Sequence, residues 1–280
     1  MFTYEAPAKI NLSLRVLRRR EDGFHEIATR MAPLELADSL AVRRIPGPDG
    51  AVHFTCDDET VPGDESNLAV RAVRALEQET GPLPAVHIDL EKRIPHGAGL
   101  GGGSSDAATV LRALKATLEL DVSLRTMLDA AARVGSDVPF FLLGSTCDCT
   151  GRGEVVTPSG VSFGGQRLLL VKPPFGVPTP WAYKTWLDSQ EMPGLPYTAQ
   201  TSPVGELVND LKRPVFAKYP VLGTLKAALL RQEGVQGALM SGSGSTVFAL
   251  LEDTAPLAPI LQAVEEEIGS GAWHCDTRLA

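Results

Sequence analysis

The strongest constraint on this chain is a stretch almost without side chains. Gly97-Ala98-Gly99-Leu100-Gly101-Gly102-Gly103-Ser104-Ser105 places five glycines within seven residues. Just before it, Val86-His87-Ile88-Asp89-Leu90 alternates as a half-buried strand does. Just after it, Ala107, Val110, Leu111, Leu114 and Leu118 recur at helical spacing. A strand, a glycine run and a helix in that order leave backbone N–H groups exposed and converging, with positive φ angles tolerated. The helix start adds unpaired N–H groups and the positive end of its dipole. That combination suits phosphate, and Ser104 and Ser105 can add hydroxyl donors.

Three nucleotide-binding patterns compete for this segment. A Walker loop needs Gly-Lys-Ser/Thr, and no lysine stands there. A protein-kinase loop needs a His-Arg-Asp segment downstream, which is absent. Gly97-x-Gly99-x-x-Gly102 does fit the dinucleotide fingerprint, but Glu91 to His96 separate it from the strand that should precede it at once. Glu119 and Asp121 lie near the spacing of a ribose-binding acid, so that test leaves the alternative open.

The chain has 280 residues and a net charge of −8, a poor balance for nucleic-acid binding, which depends on basic surface. No apolar run is long enough to span a membrane, and Met1-Phe2-Thr3-Tyr4-Glu5 lacks the flank of a signal peptide. A cytoplasmic protein without membrane or nucleic-acid partners is expected. Cys56, Cys147, Cys149 and Cys275 lack zinc spacing and read as reduced thiols.

The remaining pattern is mixed. Residues 35–56 read as strands around Pro46-Gly47-Pro48-Asp49-Gly50, and Ser66 or Asn67 caps a helix carrying Ala69, Ala72, Val73 and Leu76. A helix is expected over 124–134, a buried strand at 168–171, a strand at 246–251 and a helix at 257–268. Residues 173–205, rich in proline, read as a long loop with short helical pieces. Strands and helices without strict alternation predict an α+β fold. The turn-rich stretch 158–166 places the boundary between an N-terminal domain, 1–160, and a C-terminal domain, 161–280.

Pro95 to Ala108 closely resembles the second motif of the GHMP kinases, the family of galactokinase, homoserine kinase and mevalonate kinase. Pro7-Ala8-Lys9-Ile10-Asn11-Leu12 resembles their N-terminal motif, and Leu239 to Phe248, with Ser241-Gly242-Ser243-Gly244-Ser245, their C-terminal one. The resemblance implies a two-lobed fold, ribosomal-protein-S5-like in its first lobe and ferredoxin-like in its second. It also implies ATP as phosphoryl donor, used as its magnesium complex, with Pro95, Gly97, Gly99 to Gly103, Ser104 and Ser105 around its phosphates.

Arg20-Glu21-Asp22-Gly23-Phe24-His25, Gly135-Ser136-Asp137-Val138-Pro139 and Pro178 to Tyr183 are similar to the branch of this family whose alcohol substrate carries a cytidine diphosphate. By that similarity Asp137 is the catalytic base, and Lys9 keeps it ionised and orients the hydroxyl. Asn11 lies near the reacting centre. Phe24 stacks on the cytosine, His25 bonds its polar edge, and Tyr183 lies on the opposite side of the ring. Phe24 stands where the family usually has tyrosine, which keeps the stacking face and drops the hydroxyl. Ser241 and Gly242 form a second backbone nest near phosphates or substrate. Asp106 either complements the dipole of its helix, the favoured reading, or lies near magnesium. No residue is assigned as a metal ligand, and a monomer or weak homodimer is expected. The competing readings are another small-molecule kinase of the family, a non-catalytic nucleotide sensor and a dinucleotide-dependent oxidoreductase.

Overall fold

The computed structural model describes residues 2–280 and carries two sheets with helices packed outside them. The first 44 residues are nearly all strand: β1 (Thr3–Arg19) turns at Thr-free, glycine-containing residues 20–24 into the antiparallel β2 (His25–Arg44). β3 (Val52–Cys56) and β4 (Val86–Glu91) extend this sheet beyond β2, with α1 (Leu68–Thr80) between them. Asn67 caps α1, its side chain accepting from the N–H of Ala69. After α2 (Gly102–Thr117), α3 (Leu124–Val134) and α4 (Val138–Leu143) comes the hairpin β5 (Cys147–Thr150) and β6 (Val155–Pro158), whose β5 pairs with Thr29, Arg30 and Met31 near the start of β2. The first core lies between this sheet and its helices, around Leu76, Leu111, Leu114, Phe140 and Phe141.

The second sheet holds β7 (Arg167–Lys172), β10 (Val235–Met240), β11 (Val247–Leu251) and β12 (Trp273–Arg278) in the order β10-β11-β7-β12, all antiparallel. Its helices are α5 (Thr179–Trp186), α6 (Lys212–Lys218), α7 (Pro220–Leu230) and α8 (Leu257–Ile268). Strand, helices, two strands, helix and strand make the split βαβ arrangement expected of a ferredoxin-like lobe. Residues 173–205 contain α5 and end in β8 (Gln200–Ser202), which pairs with β9 (Gly205–Asn209). β9 then runs parallel to β1 at Ser13 and Leu14, so a segment from the second half of the chain completes the first sheet.

β1 alternates in sequence, with Ala8, Ile10, Leu12, Leu14 and Val16 on one face and Lys9, Asn11, Ser13 and Arg15 on the other, yet around Lys9 it is covered on both faces. Ala8, Ile10 and Leu12 meet Leu168, Leu170, Leu239 and Phe248 in a core between the two sheets. Lys9 and Asn11 point to the other face and are also buried. A strand enclosed this way shows near-continuous burial, here interrupted by register shifts between Pro7 and Lys9 and between Asn11 and Ser13.

Candidate active site

A cleft of about 1000 Å³ lies against the central strands. Its walls bring together the N-terminal segment with Lys9 and Asn11, the glycine loop, the α3–α4 junction, and the start of α5. Lys9, Asn11, Phe24, His25, Pro95, Gly97, Gly99 to Gly103, Ser104, Asp137, Tyr183 and Gly242 all line it. Ser105 and Ser241 do not, because both are sealed in the interior.

The loop geometry explains its glycines. Gly101, at φ +74°, is the N-cap of α2, and the Ser105 N–H already closes the first turn on its carbonyl at 2.9 Å. A Cβ on Gly101 would meet Phe141 at 2.8 Å and the Lys9 side chain at 3.0 Å. Gly99, at φ +75°, lies against the C-terminal glycine turn, and a Cβ there would fall 2.3 Å from the Ser241 carbonyl oxygen. That contact is backbone and cannot swing aside.

Ser241 therefore works as a tie rather than as a ligand. Its hydroxyl donates to the Gly99 carbonyl at 2.9 Å and accepts from the Asn11 N–H at 3.3 Å, linking all three sequence motifs. Asn209, at the end of β9, donates to the Met240 and Gly242 carbonyls at 2.7 and 2.8 Å and so fixes the turn from beneath. No local pattern marks Asn209 in the sequence; its role exists only once β9 joins β1.

Lys9 is 4% exposed, and its ammonium lies 3.4 Å from the Asp137 carboxylate. It also donates to Asn11 Oδ1 at 2.6 Å, while the Asn11 amide donates to Thr29 Oγ1 at 2.8 Å. Thr29 donates in turn to the Ser13 carbonyl at 2.6 Å. The lysine is thus held by a chain of hydrogen bonds across β1 and β2. Asp137 precedes α4 but makes no capping bond with its side chain, which leaves the carboxylate free to face Lys9 and the cleft. Gly242 keeps the space above them open: a Cβ there would come within 3.6 Å of Lys9 Nζ.

Phe24, His25 and Tyr183 line the aromatic end of the cleft. His25 and Tyr183 stack on each other, centroids 5.5 Å apart and planes 26° apart, with Trp186 edge-on to His25 at 6.3 Å. His25 and Tyr183 are thus in direct contact. The Phe24 ring is 52% exposed and carries the Arg152 guanidinium over one face at 4.8 Å. Arg152, in the β5–β6 turn, lines the same cleft and has no motif of its own in the sequence. Burial, helped by Arg19, lowers the His25 pKa, so the ring is neutral near pH 7. Burial, with Asp137 nearby, raises that of Tyr183.

Asp106 does not complement the helix dipole: it lies beyond the first turn of α2 and turns inward to Lys92, 2.9 Å away. The four cysteines are free thiols. No helix among the described residues is long and apolar enough to cross a membrane.

Comparison with known proteins agrees with this layout. The family model described as "GHMP kinases N terminal domain" matches residues 67–145, and "GHMP kinases C terminal" matches 199–269. The 4-diphosphocytidyl-2-C-methyl-D-erythritol kinase of Methylacidiphilum infernorum is 41% identical over 96% of this chain and 93% of its own length. That of Thermodesulfovibrio yellowstonii is 37% identical over 95% of each. A crystal structure of 4-(cytidine 5'-diphospho)-2C-methyl-D-erythritol kinase superposes with a TM-score of 0.77 at 35% identity, each chain fully covered. Mevalonate kinase from Methanococcus jannaschii, 11% identical with a TM-score of 0.69, shares the fold. The chain belongs to the GHMP kinase family and groups there with the 4-diphosphocytidyl-2-C-methyl-D-erythritol kinases.

Proposed function

We propose that this protein transfers the γ-phosphoryl group of ATP to the tertiary 2-hydroxyl of 4-diphosphocytidyl-2-C-methyl-D-erythritol, a step in non-mevalonate isoprenoid precursor synthesis. The observation that carries the chemistry is the Lys9–Asp137 pair facing a cleft whose neighbouring wall is the glycine loop. The relatives of this chain carry the substrate's name at 37–41% identity over nearly its whole length, which favours this alcohol over homoserine, mevalonate or a sugar.

The substrate hydroxyl sits between Lys9 and Asp137. Its oxygen attacks the γ-phosphorus, and the bond from that phosphorus to the β–γ bridging oxygen breaks. The hydroxyl proton goes to the Asp137 carboxylate, and ADP leaves. Lys9 orients the hydroxyl and carries positive charge beside the transferring group, fixed in place by Asn11. The loop amides and the start of α2 face the triphosphate and stabilise charge as it shifts to the leaving oxygen. Phe24 offers a face to the cytosine, and Arg152 above it carries positive charge into the cytidine end of the cleft.

Magnesium would enter with ATP. Among the described residues no three His, Cys, Asp or Glu side chains converge into a ligand set. The residues present therefore do not build a protein cage for the ion, which the phosphates and water would coordinate. The reaction would run in the cytoplasm, in a monomer or weak homodimer whose lobes divide near residue 160.

An ADP-release assay with the diphosphocytidyl substrate beside homoserine and mevalonate tests the assignment. Turnover with the first and not the others is expected. Efficient turnover of homoserine or mevalonate alone would overturn it.

A further inference from the structure

Behind the phosphate loop lies a second buried charge group, which the transfer reaction does not use. Lys92 follows β4, and its side chain is 6% exposed. Its ammonium donates to Asp38 Oδ2 on β2 and, at 2.9 Å, to Asp106 Oδ2 on α2. Asp38 Oδ1 also accepts from the N–H groups of Arg93 and Ile94, at 2.5 and 2.8 Å. The trio thus grips the segment that enters the glycine loop and the helix that leaves it. Its charge lies close under the loop: a Cβ on Gly102 would come within 3.3 Å of Lys92 Nζ.

One lysine faces two carboxylates in this group, and both acids are almost fully buried. With both ionised, the trio carries a surplus negative charge directly behind the amides that face a triphosphate. Burial opposes such a surplus. The Oδ1 atom of Asp106 has no hydrogen-bond partner, a deficit that costs far less on a neutral acid than on a carboxylate. Burial, opposed by Lys92 and reinforced by Asp38, pushes Asp106 up to about 7. Of the other titratable groups nearby, Cys56 is half-buried with its thiol pushed up by burial, and Asp57 and Asp58 lie toward solvent. Asp57 accepts from the Lys92 N–H at 2.8 Å, and Asp58 lies 3.7 Å from His96. No further cation is bonded to either buried acid to offset the surplus.

We propose that Asp38, Lys92 and Asp106 are positioning residues of the phosphate loop whose charge balance sets nucleotide affinity. The form that accepts the triphosphate is the neutral trio, with a proton on Asp106. Nucleotide binding accordingly draws a proton from solvent onto Asp106, because a nearby polyanion disfavours the carboxylate. As pH rises and Asp106 ionises, the trio becomes negative and nucleotide binding weakens. The idea rests on the phosphate-loop reading above, and its test separates the two.

The ATP KM of the full chain is measured from pH 6 to pH 8.5 for wild type and Asp106→Asn. Over that range the wild-type KM should rise roughly tenfold more than the variant's, the size of one added charge near a phosphate. The variant serves as the control for the nucleotide's own titration. Separately, ADP binding is followed calorimetrically at pH 7 in two buffers of different ionisation enthalpy. Wild type should take up a proton fraction beyond that of ADP itself, and Asp106→Asn should not. Parallel KM profiles with equal proton uptake would overturn the proposal. If Asp106→Asn does not fold, the wild-type calorimetry decides alone, and zero excess uptake overturns it. Failure of every alcohol to be phosphorylated would refute the kinase assignment, while ADP-linked proton uptake would still judge the trio.

Discussion

Lys9 Nζ stands 3.4 Å from Asp137 Oδ2, with the lysine buried in the middle of β1 and the aspartate at the mouth of α4. The pair is asymmetric in exposure: the lysine side chain is enclosed, and the carboxylate is open to the cleft. That arrangement suits an alcohol approaching from the cleft side, where the carboxylate takes its proton and the lysine holds its oxygen.

Asp137→Asn keeps the shape of the side chain and removes its capacity to accept a proton. The rate constant kcat should fall by about 10²–10⁴, with ATP affinity retained because the loop does not depend on Asp137 for its hydrogen bonds. Steady-state kinetics together with nucleotide titration check this. Near-normal turnover would remove Asp137 as the base.

Asn11→Ala should act through Lys9. The variant leaves the ammonium without its 2.6 Å acceptor and Thr29 without its amide partner. The expected result is a fall in kcat with a smaller change in either KM, since the lysine loses its fixed position rather than its charge. A change confined to the KM of the alcohol would instead place Asn11 among the direct substrate contacts.

The two ends of the glycine loop should respond differently to the same added methyl group. Gly99→Ala forces a Cβ to 2.3 Å from a backbone oxygen at positive φ, and should cost about 2–4 kcal/mol. Gly97→Ala meets nothing closer than 3.8 Å and carries only the cost of its φ of +60°, about 1–2 kcal/mol. Urea unfolding of the two variants compares them. Equal losses would mean that the loop and the C-terminal glycine turn do not touch as described.

Phe24→Ala removes the exposed ring on which Arg152 rests and should raise the KM for the cytidine substrate far more than that for ATP, through loss of roughly 1–3 kcal/mol of stacking. His25→Ala should do the same while also releasing Tyr183 from its stacked partner. Equal changes in both KM values would move the base-binding end elsewhere in the cleft.

Asp106 has a consequence for stability as well as for binding. Its folded pKa of about 7 lies above the ordinary 3.8, so the stability contributed by the neutral acid is complete below 3.8 and is lost as pH rises through about 7. Asp106→Asn does not titrate. Its Tm relative to wild type should therefore rise between pH 5 and pH 8. A constant difference across that range would show that Asp106 is ionised throughout.

Local chemistry in the sequence was enough to specify the strand, glycine run and helix of the phosphate loop, a cap at Ser66 or Asn67, which the structure places at Asn67, the helices over 124–134 and 257–268, and the strand at 168–171. Each depends on spacing or on a turn residue within a few positions, and short-range physics survives in any tertiary context. The alternation of Ala8, Ile10, Leu12, Leu14 and Val16 with polar residues stands in the sequence, but the burial of Lys9 and Asn11 on its polar face does not. The motifs named Lys9, Asn11 and Asp137 without fixing their distances. Only the packing of the two sheets closed Lys9 on Asp137, bound Ser241 to Gly99, placed Asn209 under the second glycine turn and turned Asp106 inward to Lys92. Those relations join residues far apart along the chain, so their geometry is set by sheet register and core packing, which no local window of sequence contains.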